Sequence, residues 1–468
     1  MSETRRAAGK NARSAPLGSF PPDARSVALS ILNQLESGRT SLDILLESGA
    51  HGQDRLSPQD RALFNHLVHG VLRWRLRLDA VMAAYTDRAP QKMDPVVRNI
   101  LRLALFQMLY MDRIPPSAAV NTAVNLARTC GAASATGFVN GLLRNVLRHP
   151  DRFQPPDPGQ FPVAHLSVDT ATPEWLVRRW MRRFGWDDVK TLCAAMNTIP
   201  PVTLRCNHLK NTEDELVAAL SGMARTLSRT APHLIHLDGL CCPIPDMPAF
   251  KEGKFAVQDE AAQGISRLLS PRPGEQVLDA CAGLGGKTCH MADLMNNQGR
   301  IIALDHSRQK LARLETEARR LGISCVETRT ADLNTPLSLD PDMRFDRILL
   351  DAPCSGLGVL RRNPDAKWTV QEADIHRCAR RQRRFLEHLA PWMRVGGTLV
   401  FSVCSMEPEE NETVISKFLK THPHFAVDVP SSEEADIHAY LDADGFFRTF
   451  PHTHATDGFF AVRLRRVR

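Results

Sequence analysis

The chain has 468 residues, of which 43% are hydrophobic and 24% charged, with a net charge of +7. That length is too great for one ordinary domain, and the composition fits a globular protein with real cores rather than a disordered or fibrous one. The mild basicity permits a polyanionic partner, and no long uncharged apolar segment points to a membrane.

The first 22 residues carry Arg5, Arg6, Lys10 and Arg13 with no apolar stretch behind them, so they read as a disordered basic tail and not a secretory signal. Residues 23–150 read as an all-α bundle. In VVRNILRLALFQMLYM the apolar positions Val97, Ile100, Leu101, Ala104, Leu105, Met108 and Leu109 recur at helical spacing, with Arg98 and Arg102 off that stripe. Similar patterns run through Ala24–Leu35, Ser57–Tyr85 and Ala118–Leu147, with Pro115–Pro116 between the last two major helices. Residues 151–165, DRFQPPDPGQFP and its flank, form a proline-rich linker. Residues 166–257 read as a small α+β domain, with helices over Glu174–Phe184 and Glu213–Ser221 and a strand near Val202–Cys206.

Residues 258–468 show the most regular pattern. EQVLDAC, RIIALD, CVETRTAD, FDRILLDAPC and GGTLVFSVCS read as strands with helices between them. Ser307 caps one of those helices, Leu311, Leu314, Ala318 and Leu321 share its face, and Gly322 closes it. The alternation predicts a parallel, doubly wound α/β sheet whose ligands bind outside the carboxyl ends of its strands.

The turn after the first of these strands reads Asp279-Ala-Cys-Ala-Gly-Leu-Gly-Gly-Lys-Thr288. Glycines 283, 285 and 286 allow a ligand close to the backbone, and the next helix offers free N–H groups. A P-loop would need glycine where Cys281 stands. A dinucleotide fingerprint would need a third glycine where Thr288 stands, so that reading is second. S-adenosylmethionine has no pyrophosphate and needs only the close approach. Asp305 ends the second strand, where an acid accepts ribose hydroxyls. Asp332 follows the third, where a carboxylate can accept from an adenine amino group.

The eleven cysteines are scattered, with no CxxC pair and no zinc spacing, so no metal is expected and a reducing, cytoplasmic setting fits. Cys130, Cys193, Cys206, Cys289, Cys325 and Cys378 read as core thiols. Cys354 follows the fourth strand in Asp351-Ala-Pro-Cys-Ser-Gly, and Cys404 lies at the end of the fifth. Adjacent strand ends would place both thiols in one crevice beside the glycine turn. A thiolate there can add to carbon 6 of cytosine and make carbon 5 nucleophilic towards a sulfonium methyl. Asp351 is the candidate to offset charge near the ring nitrogen, either protonated or through an amino-group contact. Position alone lets either thiol attack.

LDACAGLGGKT, DAPCSGLGVLRRNPDAKW and SVCSMEPEENE together resemble the RNA cytosine-5 methyltransferases. The resemblance implies Cys404 as nucleophile, Cys354 as the thiol that assists product release, and an S-adenosylmethionine site made by Cys281, Ala282, Gly283, Leu284, Gly285, Gly286 and Lys287 with Asp305, Asp332 and Asp351. RALFNHLVHGVLRW, RIPPSAAVNTAV and GFVNGLLRNVLR look like a NusB-type RNA-binding helical domain. The fusion of the two is similar to the RsmB/Sun/Fmu family, which implies an RRM-like middle domain, a Rossmann-like methyltransferase domain and a 16S ribosomal RNA substrate. That family often has proline at the position of Leu284 and threonine at that of Val403. A non-catalytic RNA-binding module with a relic sheet is the second reading, against which both cysteines and all three acids are present; a DNA cytosine methyltransferase, in which Cys354 would attack, is the third.

RNA contacts are also expected from the residues. Arg73, Arg75, Arg77, Arg88 and Lys92 cluster in the helical domain. Arg361, Arg362 and Lys367 follow the Cys354 turn beside Trp368. Basic groups hold phosphates and a ring can stack on an unpaired base.

Overall fold

A computed structural model describes residues 23–38, 40–49, 51–231, 234–430 and 435–468. The basic tail expected over residues 1–22 lies outside the described residues. The chain divides into two compact units, Met1–Pro156 and Asp157–Arg468. Among the described residues no helix is long and apolar enough to cross a membrane.

The first unit is helical, with its main helices at Ala24–Leu35, Pro58–Ala84, Pro95–Tyr110, Pro116–Thr129 and Thr136–Arg148. Asp23 and Asp94 cap two of them by accepting backbone N–H groups. The stretch expected as one pattern over Ala118–Leu147 is two helices, broken where Gly131 takes φ +83°. Arg98 and Arg102 lie off the apolar stripe, yet both are buried. Arg102 pairs with Asp79 at 2.6 Å and Glu36 at 2.5 Å, and Arg98 pairs with Glu36 at 2.8 Å. Arg75 reaches the same Glu36 and Arg73 is buried. Two of the five basic residues read as phosphate contacts are therefore turned to internal partners or the core.

The second unit holds two sheets. The smaller contains β1 (Val202–Cys206), β2 (Ala224–Ala231), β3 (Leu234–Leu240) and β4 (Phe255–Val257) in the order β2-β3-β1-β4, with each pairing antiparallel. Helix Glu213–Ala219, with a capping box at Thr212 and Glu215, packs on it through Leu216 and Leu220. Helices Pro162–Asp169, Glu174–Phe184 and Trp186–Ala195 share a core with Leu357, Leu360, Ile375 and Met406 of the larger domain. Sequence spacing groups these helices with the small domain; packing joins them to the loops that follow the two site cysteines.

The larger sheet contains β5 (Gln276–Asp279), β6 (Arg300–Asp305), β7 (Val326–Thr330), β8 (Phe345–Asp351), β9 (Met393–Val403), β10 (Phe425–Val427), β11 (Phe447–Thr449) and β12 (Phe459–Arg466). Its order is β10-β12-β9-β8-β5-β6-β7, with β11 on β12. β5 to β9 pair in parallel, as the alternating pattern predicts. The sheet is not wholly parallel, however: β12 runs antiparallel between β9 and β10. Helices lie on both faces. Leu386 and Phe418 of Glu372–Leu389 and Glu412–Thr421 cover one, and Ile265, Met291 and Leu314 from three further helices cover the other. The strand order reverses at β5 and β8, so the crevice at their carboxyl ends is the expected ligand position.

Candidate active site

β5 ends at buried Asp279, whose Oδ2 accepts a 2.7 Å bond from Thr288 Oγ1 at the start of helix Gly286–Leu294. That bond closes the turn from both sides. Between them Gly283 takes φ +56° and Gly285 φ +87°, a region that disfavours a Cβ. A Cβ at Gly285 would sit 2.5 Å from Leu314 Cγ, while one at Gly283 or Gly286 would meet nothing within 4 Å. Gly285 thus faces the core, and Gly283 and Gly286 border open space. Leu284, at the tip, is 44% exposed. The turn is tied to the next strand by Gly283 N–H, which donates to Asp305 Oδ2 at 3.0 Å; Ser307 N–H takes Oδ1 at 2.8 Å. Asp332 lies exposed past the end of β7, held by Asn334 N–H and Nδ2–H at 2.9 and 2.8 Å.

Burial pushes the Cys281 thiol well up, and the charges of Asp279, Asp351 and Asp305 push it further. Three carboxylates therefore converge on this half-buried turn. Burial also raises Asp279 to about 7, and its Oδ1 has no hydrogen-bond partner within the protein. Open space over two glycines, an orphaned carboxylate oxygen and converging negative charge fit a cationic ligand with an amino-acid moiety. Cys281, Ala282, Gly283, Leu284 and Gly286 lie in the turn after β5, with Asp305 and Asp332 at the carboxyl ends of β6 and β7, while Gly285 is turned to the core.

β8 and β9 carry the reactive pair. Their parallel register sets Asp351 beside Ser402, and Cys354 and Cys404 follow within a few residues. The two Sγ atoms stand 3.3 Å apart, too far for a disulfide and within reach of a shared proton. The Cys354 thiol is held well above its ordinary range, first by its hydrogen bond with Cys404, then by burial and the charges of Cys404 and Glu410. Asp351 Oδ2 accepts from Lys287 Nζ at 2.7 Å, and Oδ1 from Ser402 Oγ at 2.8 Å. Burial opposes the Lys287 charge, but Asp351 outweighs it and the ammonium's pKa is raised. Lys287 also lies 5.1 Å over the Phe459 ring, so β12 walls the crevice.

A layer behind the thiols escapes the sequence reading. Buried Glu410 holds the residue after each cysteine. Its Oε2 accepts from Ser355 Oγ at 2.5 Å and Ser405 Oγ at 2.6 Å; its Oε1 accepts from Ser355 N–H at 2.9 Å and Gln382 Nε2 at 3.2 Å. Trp180 Nε1 donates to Glu407 at 2.9 Å, Arg179 pairs with Glu407 and Glu409, and Arg183 donates to Met406 O. From the small domain, buried Arg205 reaches Gly286 O at 2.7 Å and Gln258 at 2.6 Å. The acid run EPEENE is visible in the sequence, but nothing in its spacing separates Glu410, fully buried, from a solvated glutamate.

Three residues expected to contact RNA are placed otherwise. Arg361 is 4% exposed and pairs with Asp457 at 2.8 Å. Arg362 pairs with Asp457 at 2.5 Å and Asp259 at 2.8 Å. Lys367 is buried and donates to Asn197 Oδ1 at 2.6 Å. They tie the Cys354 loop to Asp259 after β4, to Asp457 before β12 and to Asn197 after helix Trp186–Ala195, and are structural cations. Among the expected core thiols, Cys193, Cys206, Cys289 and Cys378 are buried, while Cys130 and Cys325 are only partly so.

The sheet order, the glycine turn and the strand-end acids define a Rossmann-like methyltransferase domain. Residues 266–465 match the 16S rRNA methyltransferase RsmB/F family, residues 22–148 the NusB family, and residues 172–244 the RsmF/B-like ferredoxin-like domain. Probable ribosomal RNA small subunit methyltransferase B of Bacillus subtilis is 36% identical over 446 residues, covering 94% of this chain and 98% of the relative. The corresponding protein of Synechocystis is 35% identical, covering 95% and 99%. The crystal structure of PH0851 superposes with a TM-score of 0.79 at 27% identity, covering 96% of this chain and all of that one. The chain belongs to the ribosomal RNA small subunit methyltransferase B family, with a NusB-like helical domain, a ferredoxin-like middle domain and a C-terminal methyltransferase domain. Its cofactor is S-adenosylmethionine.

Proposed function

We propose that this chain methylates carbon 5 of a cytosine in 16S ribosomal RNA, with Cys404 as covalent nucleophile and Cys354 as the thiol that releases the product. The observation that carries the proposal is the 3.3 Å pair of thiols at adjacent strand ends, beside the glycine turn. Residues 258–468 carry the chemistry, residues 166–257 form the small domain, and residues 23–150 hold RNA. The reaction takes place in the cytoplasm, where small subunits assemble.

Bound S-adenosylmethionine supplies a methyl group made electrophilic by its sulfonium. The turn from Cys281 to Lys287 and the carboxylates of Asp305 and Asp332 would hold it. Asp351 accepts from the exocyclic amino group of the cytosine, and Lys287, bonded to its other side, holds that carboxyl group in place. The Cys404 thiolate adds to carbon 6, and the ring's electron pair moves to carbon 5, which takes the methyl. Cys354 then gives its proton to the departing Cys404 sulfur and takes the carbon 5 proton in exchange, so the ring double bond reforms as the C6–S bond breaks. Cys404 loses its proton to solvent before the next cycle, which accounts for the one proton the reaction releases. The target base must be unpaired or flipped to reach the thiol.

The test is Cys404→Ala. Methyl transfer to small-subunit RNA should vanish while S-adenosylmethionine binding, read by calorimetry, stays at the wild-type value. Retained turnover overturns the proposal.

A further inference from the structure

We propose that Glu410 is a positioning residue for the methyl transfer: one buried carboxylate ties the Cys354 loop to the Cys404 loop and fixes the two sulfurs relative to each other. The proposal rests on the roles given above to the cysteine pair.

The geometry is specific. Ser355 and Ser405 are the residues directly after the two cysteines, and both hydroxyls point at one oxygen, Glu410 Oε2, at 2.5 and 2.6 Å. The two hydroxyl oxygens are 3.3 Å apart, but each has one proton and each spends it on the carboxylate. The carboxylate is therefore the bridge, and the hydroxyls cannot replace it by bonding to each other as well. Ser405 Oγ accepts in turn from Glu407 N–H at 3.2 Å, so its own orientation is set. The other carboxylate oxygen holds the Ser355 backbone at 2.9 Å. Gln382 Nε2 bonds both that oxygen at 3.2 Å and Pro353 O at 3.1 Å, which brackets Cys354 on its two sides.

Such a carboxylate is costly to bury, and burial does raise its pKa. Four donors on it offset that cost. A charge kept there acts on the chemistry too. The bond to Cys404, burial and the charges of Cys404 and Glu410 raise the pKa of the Cys354 thiol, against the Gly356 backbone N–H, which lowers it. Glu410 thus sets both the spacing of the thiols and the protonation of the one that must carry a proton when the product leaves. Ser355, Gln382 and the loop that holds Ser405 and Glu410 are three separate stretches of the chain, so local packing alone does not account for their convergence.

The test uses the full chain with Glu410→Gln, which keeps the size and removes the charge. Three readouts apply: single-turnover methyl transfer, S-adenosylmethionine affinity, and the pH midpoint of Cys354 alkylation by iodoacetamide, followed by peptide mass spectrometry. The expected result is a methyl-transfer rate lowered about 10–100-fold, as for a sub-ångström misplacement of reacting groups. Cofactor affinity should stay within about twofold, and the Cys354 midpoint should fall by about 1 pH unit as a like charge is removed. A wild-type rate, or an unmoved midpoint in a protein that still binds cofactor, overturns the proposal. If Glu410→Gln binds no cofactor, Ser405→Ala decides: it cuts one tether and keeps the charge, and a wild-type rate there overturns the positioning role. The alkylation midpoint needs no RNA and no methyl transfer. It therefore reports on Glu410 even if Cys404→Ala were to retain turnover, which is the separate failure of the functional reading.

Discussion

Alanine at Gly285 and alanine at Gly286 should do opposite things, though the two residues are neighbours in one turn. At Gly285 the backbone is at φ +87°, which costs an L-residue about 1–2 kcal/mol. The new Cβ would lie 2.5 Å from Leu314 Cγ, well inside the optimum of about 3.5–4.0 Å. Leu314 is fully buried in the sheet-facing core and cannot move freely, so overpacking adds about 1–3 kcal/mol. Gly285→Ala should therefore destabilise the second unit by about 2–5 kcal/mol, read from the urea midpoint of its unfolding. At Gly286 the backbone is helical and a Cβ meets nothing within 4 Å. Stability there should hold or rise by up to about 1 kcal/mol. If the cofactor lies against this turn, Gly286→Ala fills the space it needs, and S-adenosylmethionine affinity should fall more than about tenfold, or 1.4 kcal/mol. Calorimetric titration of the folded variant measures it. A Gly286→Ala protein that binds cofactor as wild type does would refute the assignment of this turn; an undiminished Gly285→Ala stability would refute the geometry behind it.

Removing Asp457 by Asp457→Ala leaves buried Arg361 without its main partner, and should cost about 3–5 kcal/mol in denaturant unfolding. His208 bonds Asp293 at 3.1 Å and Glu213 at 2.9 Å. The Asp293 bond first, and Glu213 with it, raise the imidazole to about 9. Its folded pKa exceeds its unfolded one, so its stabilisation is complete below about 6.5 and is lost as pH rises through about 9. His208→Ala should flatten the thermal midpoint in that window; an unchanged slope contradicts the pairing. Asp279, raised to about 7 by burial, has the same sign: it favours the fold at low pH, and that contribution is lost between about 3.8 and 7. Asp279→Asn should therefore be at least as stable as wild type at pH 8, as measured by thermal unfolding.

What was legible in the sequence was local. The strands β5 to β9 and their helices show in apolar runs and caps, because each needs only its own neighbours in the chain. The glycine turn and the two cysteines show because their residue types are rare in that order. The order of attack, Cys404 before Cys354, rests on family resemblance in the sequence; the 3.3 Å contact between the two sulfurs is symmetric and leaves that order to the resemblance. Charge was misread. Arg361, Arg362 and Lys367 look like a phosphate-binding run, and their partners Asp457, Asp259 and Asn197 lie about a hundred residues or more away, so no local pattern tells a paired cation from a solvated one. Glu410 was missed for the same reason: its role comes from Ser355 and Gln382, each far off in the chain. The antiparallel β12 went unread because FFAVRLRR has an apolar run but carries no sign of its direction, which is set by pairing with β9.

The central claim is a covalent bond between one sulfur and one base. In Cys354→Ala the attacking thiol remains while the group that completes release is gone. Incubated with S-adenosylmethionine and 16S ribosomal RNA, that variant should give a protein–RNA adduct on a denaturing gel. Mass spectrometry of the digested band should find the nucleotide on Cys404, as a methylated cytosine. A nucleotide found on another residue, or methylation at the wild-type rate with no adduct, would contradict the account.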